Sequence, residues 1–238
     1  GAPMTVADRL AAIRARIDAA CEAAGRDRAA VRLLAASKTR PPEEVVAAVA
    51  AGHGLFGENR AQELRDKAPA VDAAADAAGL ARPEWHFIGA LQRNKVKYVV
   101  GRATLIHAVD SLRLAEAIGK RQRSQGLPGD ARILIEVNVG GEASKAGVPP
   151  DAALDLAHAA HALDGVSVAG LMTIPPPVDR PGDAGPYFAQ LARLAADGRA
   201  AGLPLDELSM GMSGDFEEAI RHGATIVRVG TAIFGQRG

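Results

Sequence analysis

Eight short apolar runs, each followed by a helix-forming or turn-forming stretch, constrain the fold of this chain more than any other feature. They cover residues 31–37, 55–58, 85–89, 105–110, 133–139, 168–174, 207–212 and 225–230. Several are apolar almost throughout, as in Ile133-Leu134-Ile135 ahead of Glu136, the pattern of parallel strands covered on both faces. Between them, Pro42-Glu43-Glu44 opens a helix with proline and acids in its first turn, and Gly52 lies just past its end. Ser111 is placed to cap a helix over 111–123, and further helices are predicted over 151–163 and 216–222. The stretch from Pro175-Pro176-Pro177 to Pro186 is a loop within the domain, because the helical pattern resumes at Tyr187.

This alternation predicts an α/β fold: a (β/α)8 TIM-type barrel with one extra helix in front, over about 5–24. An open doubly wound sheet is the competing architecture. The length of 238 residues suits a single barrel. Gly1-Ala2-Pro3 ahead of Met4 reads as the remnant of an expression tag, which leaves 4–238 as one domain.

Twenty-eight basic residues balance 28 acidic ones, so no bulk field favours nucleic acid or an anionic membrane. No apolar run approaches the roughly 18–20 residues of a membrane span, and no signal-peptide pattern opens the chain. The single cysteine, Cys21, rules out a disulfide within the chain and fits a reducing, cytoplasmic setting. It falls on an apolar helix face with Val6, Leu10, Ile13 and Ile17, the position of a small core residue rather than a reactive thiol. No cluster has zinc or iron spacing, so no metal is expected.

In such a barrel, polar residues at the C-terminal ends of strands face the site. Those ends here read Ser37-Lys38, Glu58-Asn59, His86 to Gly89, His107 to Asp110, Glu136 to Asn138, Met172-Thr173, Ser209 to Ser213 and Arg228 to Thr231. Lys38 is the focal residue. A lysine held in an apolar pocket loses some basicity and becomes suited to forming a Schiff base with an aldehyde; a surface lysine at a strand end is the alternative. Ser213-Gly214 and Gly230-Thr231 follow the seventh and eighth strands, where phosphate sites of this fold recur. Glycine there admits a dianion to backbone N–H groups, and the hydroxyls add donors. Arg228, inside the barrel, needs an acceptor. A pyridine nitrogen and an ion pair with Glu58 or Glu136 are the two candidates. His86 and His107 read as satisfied core histidines, and Asn94, Lys95 and Lys97 as a solvated helix face, with a partner or second ligand site as the alternative.

With these residues assembled, the chain resembles the pyridoxal 5′-phosphate (PLP) homeostasis protein family. The resemblance runs from Leu33 to Arg237 through Ala35-Ala36-Ser37-Lys38-Thr39, Phe56-Gly57-Glu58-Asn59, the stretch from His86 to Lys95, and that from Glu142 to Gly147. Its most specific part is Leu208-Ser209-Met210-Gly211-Met212-Ser213 with the stretch from Val227 to Gly235. The resemblance implies a fold like the N-terminal domain of alanine racemases, with PLP held as a Schiff base on Lys38. It also implies Asn59 beside the ring, Ser213, Gly230 and Thr231 on the phosphate, the Met212 backbone nearby, and Arg228 facing the pyridine nitrogen. Two positions depart from the family pattern: Gly140 and Ala108 stand where many relatives carry serine.

The implied role is a carrier or buffer of intracellular PLP with no robust catalytic turnover and no catalytic residues. Its partners would be PLP and PLP-requiring apo-enzymes. An arginine against the ring nitrogen weakens PLP as an electron sink. The resembling racemases take a second base, a tyrosine, from an additional β-domain, whereas this sequence ends at Gly238 and offers only Tyr98 and Tyr187. The absence of that domain also makes a monomer the expectation. A PLP-dependent amino-acid racemase or decarboxylase is the alternative function, with Lys145 the second lysine to test for attachment.

Overall fold

The computed structural model describes residues 2–141 and 146–236; the Glu142–Lys145 part of the family motif, including Lys145, lies outside them, as does Arg237. Eight parallel strands form the wall: β1 (Arg32–Ala36), β2 (Leu55–Glu58), β3 (Glu84–Phe87), β4 (Leu105–Val109), β5 (Ala131–Glu136), β6 (Val166–Met172), β7 (Glu207–Ser209) and β8 (Ile226–Val229). They pair in sequence order, and β8 closes on β1 with Leu34 beside Arg228. A closed barrel, not an open sheet, is therefore the architecture. It leaves no unpaired edge.

Helices cover the outside: α1 (Val6–Ala23), α2 (Pro42–Ala50), α3 (Ala61–Ala77), the short α4 (Val96–Val99), α5 (Leu112–Ser124), α6 (Pro150–His161), α7 (Gly185–Ala200), α8 (Phe216–Arg221) and the one-turn α9 (Thr231–Phe234). Local chemistry sets their starts. Thr5 and Asp8 form a reciprocal capping box on α1, and the Ser111 hydroxyl accepts the Leu114 N–H of α5. Pro42 and Pro150 occupy first-turn positions of α2 and α6.

The ladders stop short of most expected strand ends, although β2 matches. Ser37, Val137, Thr173 and Met210 stay buried beyond their last paired residues. Each still donates its backbone N–H to a neighbouring strand, at Gly57, Met172, Ser209 and Ile226 respectively, so the buried pattern runs one residue past the regular ladder. β7 keeps only three residues before Gly211 turns the chain at φ +103°.

Two apolar clusters make the interior. The larger lies between wall and helices and includes Cys21, 1% exposed, against α1 residues Leu10, Ile13 and Ile17. The smaller fills the lumen with Leu34, Leu55, Leu105, Leu134, Met172 and Ile226. Leu34 and Ile226 point inward, so Arg228, two residues beyond Ile226 on the same strand, also enters the lumen. Among the described residues no helix is long and apolar enough to cross a membrane.

Candidate functional site

The closed order β7-β8-β1-β2 brings the two ends of the chain together at one rim. Lys38, Asn59, the Ser213 loop and Gly230-Thr231 follow four adjacent strands there. A Cβ built on Gly230 would lie 3.4 Å from the Ala36 carbonyl oxygen, with only Ala36 within 4 Å. The loop after β8 thus touches the strand that leads to Lys38. Neighbouring protein does not by itself demand a glycine at 230.

Lys38 itself corrects an expectation. It is exposed, in a turn two residues beyond Ala36, not held in an apolar pocket. The strand ends one residue before Ser37, and it is Ser37 whose side chain is buried, between the wall and α3, where its hydroxyl donates to Glu58. That turn is closed by the Arg40 N–H donating to the Ser37 carbonyl at 3.0 Å, with Thr39 at φ +62°. Arg40 anchors its far side, donating to the Gly235 carbonyl and lying over the Phe234 ring. The Lys38 turn is thereby tied to α9, which begins at Thr231.

Asn59, half-buried, directly follows β2, and its Oδ1 is buried with no hydrogen-bond partner among the described residues. A buried amide oxygen without a donor is costly, so this atom has the capacity to accept from a polar group placed at the rim. Across the rim, Ser213 is half-buried and Thr231 exposed, at the starts of the segments leading to α8 and α9. The Met212 side chain is exposed, and its N–H already donates to Asp215 Oδ1 at 2.8 Å. The donors this loop can offer an anion are therefore those of Ser213 and Gly214.

Arg228 is buried and meets neither Glu58 nor Glu136 in an ion pair. Its guanidinium donates to Ser209 Oγ at 2.5 Å and to the Thr173 carbonyl at 3.1 Å. Glu58 points out of the barrel to α3 instead, where Lys67 pairs with it at 3.1 Å. Burial lowers the Arg228 pKa to about 10, opposed by the charges of Glu136 and Asp215, so it stays protonated at neutral pH. Burial also pushes the Glu136 and Asp215 carboxyls upward.

Ser209 continues a chain of buried hydrogen bonds through the lumen. His107 Nδ1 meets Ser209 Oγ at 2.8 Å, His107 Nε2 meets His86 Nδ1 at 3.0 Å, and His86 Nε2 meets Glu84 Oε2 at 3.0 Å. The polarity of the chain is fixed from its lower end. Glu84, whose pKa is held below the carboxylate range mainly by the His86 hydrogen bond, can only accept. His86 Nε2 therefore donates to it, His107 Nε2 donates to His86, and the Ser209 hydroxyl donates to His107 while accepting from Arg228. Burial lowers the pKa of both histidines, most for His107, so both rings are neutral, as this polarity requires. The reading of His86 and His107 as satisfied core histidines is right as far as it goes, but each is satisfied by the other. Thr173, which orients Arg228, carried no sequence signal beyond its place at a strand end. Ser209 lies in the most specific stretch of the family resemblance, which did not single it out as a partner of Arg228.

The expected sites elsewhere are less organised. Asn94 is exposed and its side chain makes no hydrogen bond among the described residues, while Lys95 and Lys97 lie over the Tyr98 ring. A Cβ on Gly140 would sit 2.2 Å from Pro176 Cγ, so the loop after β6 packs where a serine would stand. Among the described residues no group of three or more His, Cys, Asp or Glu could hold a metal ion.

A closed eight-stranded barrel with a lysine after its first strand and an inward arginine on its last defines a protein of the alanine racemase N-terminal-domain class, and the model of that domain family matches residues 9–238. Within that class the chain belongs to the pyridoxal phosphate homeostasis protein family. It is 46% identical to the pyridoxal phosphate homeostasis protein of Aquifex aeolicus over 98% of this chain and 99% of that one. It is 38% identical to that of Escherichia coli, over 98% and 97%. Among solved structures it is similar to PipY of Synechococcus elongatus with PLP bound, with a TM-score of 0.80, 33% identity, and coverage of 97% of this chain and all of that one. An alanine racemase from Corynebacterium glutamicum shares the fold alone, with a TM-score of 0.63 and 18% identity, this chain spanning 61% of it.

Proposed function

We propose that this protein binds PLP at the rim formed by β7, β8, β1 and β2 and serves as a carrier or buffer of the cofactor. The observation that carries the reading is the arc itself. A primary amine (Lys38), a buried amide oxygen without a partner (Asn59), a protonated inward arginine (Arg228) and two hydroxyl- and glycine-bearing loops (Ser213-Gly214 and Gly230-Thr231) lie on four successive strands. PLP offers an aldehyde, a phenolic hydroxyl, a pyridine nitrogen and a phosphate, one group for each, and the relative PipY holds this cofactor.

In this assignment Ser213, Gly214, Gly230 and Thr231 bind the phosphate through N–H and hydroxyl donors. Asn59 lies beside the ring, and the Met212 backbone serves through the turn it builds with Asp215. Arg228 faces the pyridine nitrogen. PLP supplies an electrophilic aldehyde carbon; condensation of the Lys38 amine with it forms a Schiff base and releases one water.

The same residues favour storage over turnover. Arg228 is a hydrogen-bond donor that keeps its own proton at neutral pH, so it offers the ring nitrogen a hydrogen bond without protonating it. That withholds the charge that makes PLP a strong electron sink. Tyr98 and Tyr187 sit on α4 and α7, in the helical layer outside the barrel wall and not on the strand ends that form the arc. The protein would act as a monomer in the cytoplasm, supplying PLP to apo-enzymes that need it.

Titration with PLP should give visible absorbance that borohydride fixes to a single peptide containing Lys38, and Lys38→Ala should abolish it. Fixation on Lys145 instead would move the attachment point. Steady racemisation or decarboxylation of amino acids at ordinary enzymatic rates would replace the carrier reading with the enzymatic one.

A further inference from the structure

Behind the Lys38 turn lies a buried charged cluster that the proposed PLP contacts leave unused. Glu58 at the end of β2 is fully buried, and Lys67 on α3 is 5% exposed. Lys67 Nζ donates to Glu58 at 3.1 Å, to Glu63 at 2.7 Å and to the Ser37 carbonyl at 2.7 Å. The Ser37 hydroxyl donates to the same Glu58 carboxylate. Glu63 Oε2 in turn accepts the Thr39 N–H at 2.6 Å. The residues on either side of Lys38 are thus each held by this cluster, Ser37 through its carbonyl and hydroxyl, Thr39 through its amide.

What is held is a conformation the chain would not choose. Thr39 has φ +62° at the third position of the turn, where glycine or asparagine is the usual residue. For a β-branched residue that region is a genuine outlier. Such a backbone persists only where its surroundings over-determine it. Here an ion pair between α3 residues four apart supplies the restraint.

We propose that Glu63 and Lys67, backed by Glu58, form a clamp that fixes the Ser37–Arg40 turn and so presents Lys38 to the aldehyde of PLP. They are positioning residues, and the inference rests on the attachment to Lys38 proposed above. Ordering the turn before the ligand arrives lowers the entropy lost on capture.

Glu63→Ala tests the clamp, because Glu63 is partly exposed and Lys67 would keep Glu58 and the Ser37 carbonyl. In the protein without cofactor, hydrogen exchange of the Thr39 amide should accelerate about tenfold or more, the effect of losing one hydrogen bond to a charged acceptor. Covalent capture of PLP, fixed with borohydride and followed by mass, should slow by a similar factor. Glu63→Gln, which keeps an acceptor for Thr39, should recover most of both. Lys67→Met should act in the same direction, whereas Ile118→Val, a core change of modest cost, should leave both readouts unchanged. Unchanged Thr39 exchange in Glu63→Ala would overturn the clamp, and so would faster exchange with unaltered capture. If the wild-type protein took up no PLP on Lys38, the proposed function would fall, and Thr39 exchange alone would still decide whether the turn is clamped.

Discussion

Replacing Ser209 with alanine tests the continuity of the lumen chain. The Ser209 hydroxyl has two partners, Arg228 at 2.5 Å and His107 Nδ1 at 2.8 Å. Neither partner is solvent-exposed; Arg228 is 4% and His107 0% exposed. Ser209→Ala therefore leaves His107 Nδ1 without its partner and Arg228 Nη1 with only the long contact to the Ser209 carbonyl at 3.4 Å. Losing a buried partner costs about 1–3 kcal/mol for each group, so the variant should lose about 2–6 kcal/mol. For a chain of this size each kcal/mol is worth about 2–4 °C, which sets an expected Tm decrease of about 4–24 °C. Urea unfolding at pH 7.5 gives the free energy directly. Ser124→Ala is the matched control: its exposed hydroxyl meets only the Arg121 carbonyl, and its loss should stay within about 0.5 kcal/mol. His107→Phe removes one of the two orphans, so adding Ser209→Ala to it should cost less than Ser209→Ala alone. A loss below about 1 kcal/mol in Ser209→Ala, or strict additivity with His107→Phe, would refute the chain as drawn.

Stability should also fall as the solution is acidified from pH 6.5 towards 4. Burial holds His53 at a pKa of about 4 and lowers His86 and His107 as well. Below about 6.5 the unfolded chain takes up protons that the folded one refuses, and His53 alone accounts for up to about 3 kcal/mol by pH 4. His53→Gln should flatten that part of the urea-unfolding profile. Glu58 runs the other way: burial raises its folded pKa to about 7, so its contribution is complete below about 4.5 and is lost as pH rises through 7. Relative to wild type, Glu58→Gln should therefore gain stability between pH 5 and pH 8. Gly230→Ala places a methyl group against Ala36 at an ordinary contact distance, so its Tm should stay within a few degrees of wild type. It intrudes on the space assigned to phosphate, and PLP affinity by absorbance titration should drop about tenfold or more; an unchanged affinity would move the phosphate elsewhere.

The sequence by itself determined the architecture and the cast of the rim. The eight apolar runs, the first-turn prolines and the Thr5 and Ser111 caps are local signals, and period and capping chemistry act over a few residues wherever they occur. The same locality made Lys38, Asn59, Arg228 and the Ser213 and Gly230 loops stand out as rim residues, since strand ends can be counted along the sequence. Where those residues stand was not legible. Lys38 was expected in an apolar pocket and is exposed, because the depth at which β1 stops is set by its pairing with β2 and β8 and not by its own composition. Lys67, unremarkable at helical spacing from Glu63, became the buried lysine only when α3 packed behind the Ser37–Arg40 turn. The partners of Arg228 likewise depended on closure, which alone brings Ser209, His107, His86 and Glu84 from three different strands into one line. Hydrogen-bond partners far apart in sequence are chosen by tertiary packing, since a buried donor takes whichever acceptor the fold delivers.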